Sequence, residues 1–483
     1  VTYLFTPHIN PEDGDGECGA GEDTLITVWI NPQPQIEVSV DDTICYGDPG
    51  SANTFTIINT NTQRGTWRYD LDVSYPAGVT GTLTDQSNLT DLSLTDNLVN
   101  TTLDAQTVTY LFTPHINPED GDGECGLGID TLITVWINPQ PQIQVSVDDT
   151  LCYGEPNTPN TFTINNPGTQ RGSWRYDLDV TYPAGVTGSL TDQSNLTDTN
   201  LTDNLVNSTS DVQAVTYLFT PHINPEDGDG ECGLGVDTLI TVYINPQPQI
   251  EVAVDDTLCY GEPNTPNIFT INNPGTQRGS WRYDLDVTYP AGVTGSLTDQ
   301  SNLTDTNLTD NLVNSTSDVQ AVTYLFTPHI NPEDGDGECG LGVDTLITVY
   351  INPQPQIEVA VDDTLCYGEP NTPNTFTINN PGTQRGTWSY DLDVSYPAGV
   401  TGTLSDQNNL TDLILTDNLV NTTTNAQAVT YLFTPHINPE DGDGECSAGE
   451  DTLITVWINP QPQIEVSVDD TLCYGDPGSA NTF

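Results

Sequence analysis

VTYLFTPHINPEDGDGEC, residues 1–18, returns unchanged at 108–125, 215–232, 322–339 and 429–446. Each copy begins 107 residues after the one before it. A fixed period of that length is too long for one coil of a solenoid and fits a small autonomous domain. The chain therefore reads as a tandem array. Inside the motif, Val108 to Phe112 has the β-branched and aromatic content of a strand. The Pro, Asn, Gly and Asp cluster after it reads as a turn.

Downstream of the motif, Thr131 to Ile137 is a second strand, and it runs into Asn-Pro-Gln-Pro. That tetrapeptide starts at Asn31, Asn138, Asn245, Asn352 and Asn459. Two prolines in four residues exclude a central strand and favour stiff, extended backbone, so the seam between repeats belongs there. The organisation that follows is a C-terminal part of one repeat at 1–33. Whole repeats occupy 34–140, 141–247, 248–354 and 355–461, and 462–483 opens a further one. The sequence begins and stops inside a repeat, as expected of a window on a longer array.

Within 34–140, period-two patterning predicts strands over Ile36 to Val40, Thr54 to Ile58, Thr66 to Val73 and Gly78 to Leu83. Trp67, Tyr69 and Leu71 share one face of the third. Ser87 to Asn100 reads as strand plus loop. No segment sustains a helical period. About seven short strands in a repeat of this size predict an all-β fold, a tandem array of Ig-like β-sandwich domains. Trp67 sits where such domains carry a core Trp, and Tyr110 where a tyrosine corner occurs.

Charge is extreme. Asp and Glu number 69 against 7 Lys plus Arg, all seven of them Arg, for a net charge of −62. Phosphate backbones and anionic membrane surfaces are repelled by such a chain, which excludes nucleic acid as a partner. No apolar run reaches the roughly 18 residues of a membrane span, so membrane insertion by this segment is not expected. The regular placement of aromatic and β-branched residues argues against disorder. Each repeat must still hold roughly 14 net negative charges, whose mutual repulsion opposes compaction. Bound cations are one remedy.

The acidic turn supplies candidate ligands for one. Asp13, Asp15 and Glu17 alternate with glycines, and carboxylates at i, i+2 and i+4 on a turn can converge on a hard cation such as calcium. The glutamate that closes an EF-hand loop is missing, and Asp23 stands one position earlier as its substitute. The same sets recur as Asp120, Asp122, Glu124 and Asp130; Asp227, Asp229, Glu231 and Asp237; Asp334, Asp336, Glu338 and Asp344; Asp441, Asp443, Glu445 and Asp451. The plain alternative is a solvated acidic hairpin turn. Asp41, Asp42 and Asp48 form a second acidic cluster with the same two readings.

Ten cysteines fall two to a repeat, none in a CxxC pair, which reads as structural disulfides in an oxidising setting. Cys45 follows the first strand and Cys125 lies between the last two. In a plain sandwich those positions are at opposite poles, farther apart than the ~7 Å a disulfide allows. Two arrangements remain open. A topology departing from plain Ig permits Cys45–Cys125, Cys152–Cys232, Cys259–Cys339 and Cys366–Cys446 within repeats. Bonding across a seam gives Cys45–Cys232 instead. The first is favoured here because independently folding beads are the commoner design.

The only histidines are His8, His115, His222, His329 and His436, one per repeat, without a second ligand at metal spacing. They read as packed or hydrogen-bonded strand residues. No nucleophile elbow, zinc-protease motif, P-loop or Cys–His dyad is present, so no enzymatic activity is expected. Arg64 and Arg68 flank Trp67 and are expected to pair with Asp70 or Asp72, or to stack on aromatics. Ser389 replaces the second Arg in the fourth copy, which makes that Arg dispensable. Asn88-Leu-Thr and Asn100-Thr-Thr fit N-glycan acceptors.

The VTYLFTP strand, the GxC that follows, DTLITVWINPQP and the DDTICYG opening resemble the PKD-like and Ig-like repeats of very large Bacteroidota surface proteins. These include gliding-motility adhesins and other type IX secretion cargo. The resemblance covers the whole chain. It implies an Ig-like sandwich, cell-surface display and a stalk or adhesin role, with no catalytic residues. It also offers O-glycan acceptors at Asp23-Thr24-Leu25 and Asp42-Thr43-Ile44. Asp148–Val254 and Asp255–Val361 differ only at Thr161 against Ile268, which implies recent duplication and a uniform fibre. The expected partners are neighbouring repeats of the same long chain and other copies in a fibre. The function that best fits is an extracellular stalk or filament. The competing one is a multivalent adhesin whose repeats each bind a glycan or surface.

Overall fold

The computed structural model describes residues 1–14, 16, 18–46, 52–119, 121, 123, 125–153, 159–226, 232–260, 266–333, 339–367, 373–440 and 446–467. Among the described residues there are strands and turns and no helix. The chain divides into two compact units, Val1–Thr209 with Gln213–Asn245, and Ser210–Val212 with Pro246–Phe483.

The chain opens on an antiparallel hairpin of β1 (Thr2–Phe5) and β2 (Thr24–Thr27). The next ten strands make one repeat. They are β3 (Ile36–Ser39), β4 (Thr43–Ile44), β5 (Asn53–Asn59), β6 (Thr66–Ser74) and β7 (Val79–Thr80), followed by β8 (Gln86–Leu89), β9 (Ser93–Asp96), β10 (Val99–Asn100), β11 (Gln106–Asn117) and β12 (Thr131–Ile137). They assemble as a three-stranded sheet β3-β5-β9, a five-stranded sheet β4-β12-β11-β6-β8 and the short pair β7-β10. In an immunoglobulin-type sandwich this is A-B-E facing A′-G-F-C-C′, with the first strand divided between the sheets. The split A′ strand, β4, runs parallel to β12. Three more copies of this arrangement follow along the chain. The fold is an all-β tandem array of Ig-like sandwich units.

Alternation buries one face of each inner strand. Phe55 from the three-stranded sheet meets Tyr110 and Phe112 of β11, with ring centroids 4.5 and 5.9 Å apart. Tyr69 closes on Phe112 at 5.8 Å. All four rings are fully buried. Trp67 is buried at the rim, 5.4 Å from Tyr69. The same letters behave differently in β1 and β2. Tyr3 and Phe5, which match Tyr110 and Phe112 in sequence, are half-exposed.

Three expectations need adjustment. The Val108–Phe112 strand extends to twelve residues and includes Pro114. β12 pairs only as far as Phe112, so Pro114 is laddered to β6 alone. Its carbonyl accepts from Gly128 N at 2.7 Å on the side away from β6. The missing N–H therefore faces a loop, and the ladder is intact. Gly78 to Leu83 pairs over two residues only. Ser87 to Asn100 resolves into pieces of three strands, because Asn88 takes a left-handed φ of 63° and the β6–β8 register shifts beside it. Asn adopts that conformation at small cost.

Candidate functional site

β4 is only two residues long, yet it decides where Cys45 goes. Thr43 and Ile44 lie beside Trp136 and Ile137 at the exit end of β12. Asp42 O accepts from Trp136 N at 2.8 Å, and Ile44 O from Asn138 N at 2.9 Å. Cys45 is thereby fixed at the pole where the chain leaves the repeat. Cys125 is at the other pole, its N–H donating to Ile116 O at 2.9 Å. Ten residues of β11 separate the level of Cys45 from that of Cys125, or about 33 Å of strand. A bond between them is impossible.

Within each unit the exit pole of one repeat meets the entry pole of the next, and there the cysteines find partners. Cys45 is bonded to Cys232 with Cα atoms 5.2 Å apart, and Cys259 to Cys446 at 5.3 Å. The favoured within-repeat pairings, Cys45–Cys125, Cys152–Cys232, Cys259–Cys339 and Cys366–Cys446, are thus corrected to bonding across a seam. The reason is the pole-to-pole distance just given. Cys125 and Cys366 carry free thiols, as does Cys18. Cys152 and Cys339 are half-cystines.

Hydrogen bonds surround the Cys45–Cys232 staple. Asn138, the Asn of the seam tetrapeptide, is fully buried. Its Nδ2 donates to Arg171 O at 3.0 Å and its Oδ1 accepts from Arg171 N at 2.8 Å. Asn31 holds Arg64 in the same way at 3.0 and 2.9 Å, and Asn352 holds Arg385 at 3.0 and 2.8 Å. Asp104 accepts from Thr169 N at 2.9 Å and from its hydroxyl at 2.8 Å, while Ala105 N donates to Thr169 O at 2.7 Å. Asp318 and Thr383 repeat this in the second unit. Gly168 packs so closely that an added Cβ would fall inside the Leu103 carbonyl oxygen.

The arginine beside each clamp caps the joint. Arg171 lies over the Trp136 ring at 5.1 Å, Arg64 over Trp29 at 5.0 Å and Arg385 over Tyr350 at 4.0 Å. Their carboxylate partners are Glu226, Glu119 and Glu440. Stacking on an aromatic was expected; pairing with Asp70 or Asp72 does not occur, because the first Arg precedes β6 and points across the seam. Arg68 instead donates to Asn88 O at 3.1 Å. Sequence reading located the seam but missed the Asn clamp and the Asp104–Thr169 pair, whose only signal was fixed spacing: the Asn recurs in every copy and the Asp in three, with Asn425 in its place in the fourth.

Among the described residues, each repeat buries one carboxylate completely. Asp96 accepts from Tyr75 and Tyr110 hydroxyls, both at 2.7 Å, and from the Thr82 and Leu83 amides and the Thr82 hydroxyl. Burial pushes its pKa up, but the combined hydrogen bonds outweigh that and hold it below the usual carboxylate value. Burial and the same carboxylate push the Tyr110 hydroxyl well above its ordinary value. Asp203, Asp310 and Asp417 are buried in the same way. Tyr110 thus ties strand to strand, through an acid and not through backbone. His115 is buried on β11 with Nε2 3.5 Å from Asp70, in keeping with a packed role.

Of the expected cation ligands, Asp15, Glu17, Asp120, Asp122, Glu124, Asp227, Asp229, Glu231, Asp334, Asp336, Glu338, Asp441, Asp443 and Glu445 lie outside the described residues, as does Asp48. Asp23, Asp130, Asp237, Asp344 and Asp451 each accept from a Thr hydroxyl at 2.6–2.8 Å, for instance Thr113 to Asp130. Asp13 is exposed. Among the described residues no group of His, Cys, Asp and Glu is arranged to hold a metal. Asn100 is fully buried and spends its amide on Asp104 O and Ile137 O, so the Asn100 acceptor is closed in the folded repeat. Thr43 is buried too, whereas Asn88 is exposed.

No protein-family model matches the chain, and no curated protein matches it. Among solved structures, an ICAM-5 D1-D4 ectodomain fragment is similar at 12% identity, over 88% of this chain and 100% of that one, with a TM-score of 0.31. Trypsin-activated alpha-2-macroglobulin from Escherichia coli is similar at 8% identity, over 95% of this chain and 44% of that one, with a TM-score of 0.19. These are distant likenesses, and the assignment to an Ig-like sandwich rests on the strand order itself. Among the described residues no helix is long and apolar enough to cross a membrane.

Proposed function

We propose that the chain is a stalk segment of an extracellular surface protein, built for reach and stiffness. The observation that supports this most directly is the joint. A disulfide, an Asn clamp and an Arg–aromatic cap recur between repeats in both units, so investment is concentrated on fixing one bead against the next. Disulfides of this kind belong to oxidising compartments, which supports display outside the cell. The domain boundaries at 34–140, 141–247, 248–354 and 355–461 are part of the proposal. So is the kinship with Bacteroidota adhesin stalks that the sequence motifs imply. Calcium at the DGDGE turns is proposed as the counter-charge to −62.

Small-angle scattering of the oxidised chain tests the reading. A stalk gives the profile of a stiff rod whose longest dimension falls in proportion when one repeat is deleted. A flexible-chain profile would overturn it. Glycan binding that rises with repeat number would transfer the chain to the adhesin reading.

A further inference from the structure

Cys45–Cys232 and Cys259–Cys446 have the same stagger, 187 residues each, and they do not overlap. Covalent connectivity then offers two routes along the chain. The peptide route passes through all 483 residues. The shorter one leaves the backbone at Cys45, re-enters at Cys232, follows the backbone to Cys259, and crosses again to Cys446. It skips residues 46–231 and 260–445 entirely.

A polymer pulled from its ends cannot exceed its shortest covalent route. We propose that tension travels along this short route, so that the oxidised chain cannot lengthen by unfolding its repeats. What the route contains supports this. Between Cys232 and Cys259 it follows the strand Thr238–Ile244, the Asn245–Pro248 linker, the strand Glu251–Ala253 and the pair Thr257–Leu258. Twelve residues of that stretch are strand and so extended already, which reduces the slack it can give. What it leaves out is equally telling. Phe55, Tyr69, Asp96 and Tyr110, and the matching set Phe162, Tyr176, Asp203 and Tyr217, all lie inside the first skipped loop. Those aromatic and carboxylate groups hang beside the route, while Thr238–Ile244, whose Val242 and Ile244 are themselves buried, the linker and the short strands after it bear the pull. This deepens the stalk reading but does not need it, because the limit follows from connectivity.

Single-molecule pulling on the full chain, held at its two termini, tests the proposal. At about 3.5 Å per extended residue, the oxidised chain should stop near ~400 Å. Added phosphine reductant should release roughly 370 further residues, or about 1,300 Å. Oxidised Cys45→Ser protein should stop between those limits. An oxidised chain that reaches the fully reduced length, or a limit that reduction leaves unchanged, overturns the load path. A short oxidised limit in a chain that scatters as a flexible coil would sink the stalk role and leave the load path standing.

Discussion

Asn138 grips both polar groups of the Arg171 backbone, donating to its carbonyl at 3.0 Å and accepting from its amide at 2.8 Å. A buried carboxamide used in this way acts as a peptide from a missing strand would. Asn138→Ala removes both bonds and leaves two backbone groups in the seam unpaired. The expected cost is about 1–3 kcal/mol, read as faster hydrogen exchange at the Arg171 amide in the reduced protein. Unchanged exchange would mean that the clamp is idle.

Gly168→Ala tests how tightly the joint closes. The new methyl would overlap the Leu103 carbonyl oxygen, which is backbone and cannot swing aside. The Asp104–Thr169 bonds should break with it. The measurement is proteolysis or hydrogen exchange around Ala105, with increased opening expected there and little change in the core of either repeat. Full protection of Ala105 in the variant would contradict the packing.

Acid should weaken the sandwich through Asp96. Its folded pKa lies below its unfolded one, since the five hydrogen bonds to its carboxylate outweigh burial. Its contribution is therefore complete above the ordinary carboxylate pKa and is lost as pH falls through the depressed value. Tyr110 has the opposite sign: its raised pKa keeps it stabilising below about pH 10, with loss only above. Thermal melts from pH 7 down to pH 2 should steepen at the acid end. An Asp96→Asn chain should melt lower at pH 7 and show a flatter acid limb. An identical acid limb in both would remove Asp96 from the account.

Calcium, if it neutralises the acidic turns, binds only the folded chain and so raises its stability by mass action. Chelator added to the oxidised protein should then lower the melting temperature by about 10 °C. Asp13→Asn with Asp120→Asn should reproduce part of the drop and lose sensitivity to chelator. A melt indifferent to chelator would leave the turns as solvated surface.

Much of the sandwich was legible because its inner strands are long enough to alternate. Trp67, Tyr69 and Leu71 on one strand, and Val108, Tyr110 and Phe112 on another, announce a buried face by spacing alone. β4 has two residues and no period, so nothing in Thr43 and Ile44 reveals that they run parallel to β12. Without β4 the pole of Cys45 was only an estimate. A plain sandwich already sets Cys45 and Cys125 too far apart, a conflict that either a rearranged topology or a bond across the seam resolves. Self-contained beads are the commoner design, but here the bond crosses the seam. The burial of Asn100 was hidden for a similar reason: its motif is local, but its burial depends on Ile137 from β12.

The separation of Cys45 from Cys125 also governs how the protein must be made. During synthesis Cys125 follows Cys45 by 80 positions, whereas the correct partner, Cys232, arrives 187 positions later. In a loose chain the nearer thiol has the advantage, since shorter loops close at lower entropic cost. Once β11 and β12 have formed, the nearer thiol is carried to the far pole and the wrong bond cannot form. Folding ahead of oxidation is therefore the direct route, since an early Cys45–Cys125 bond would have to be undone by thiol exchange before the repeat could close. Each finished bead then serves as the proofreader for its own cysteines.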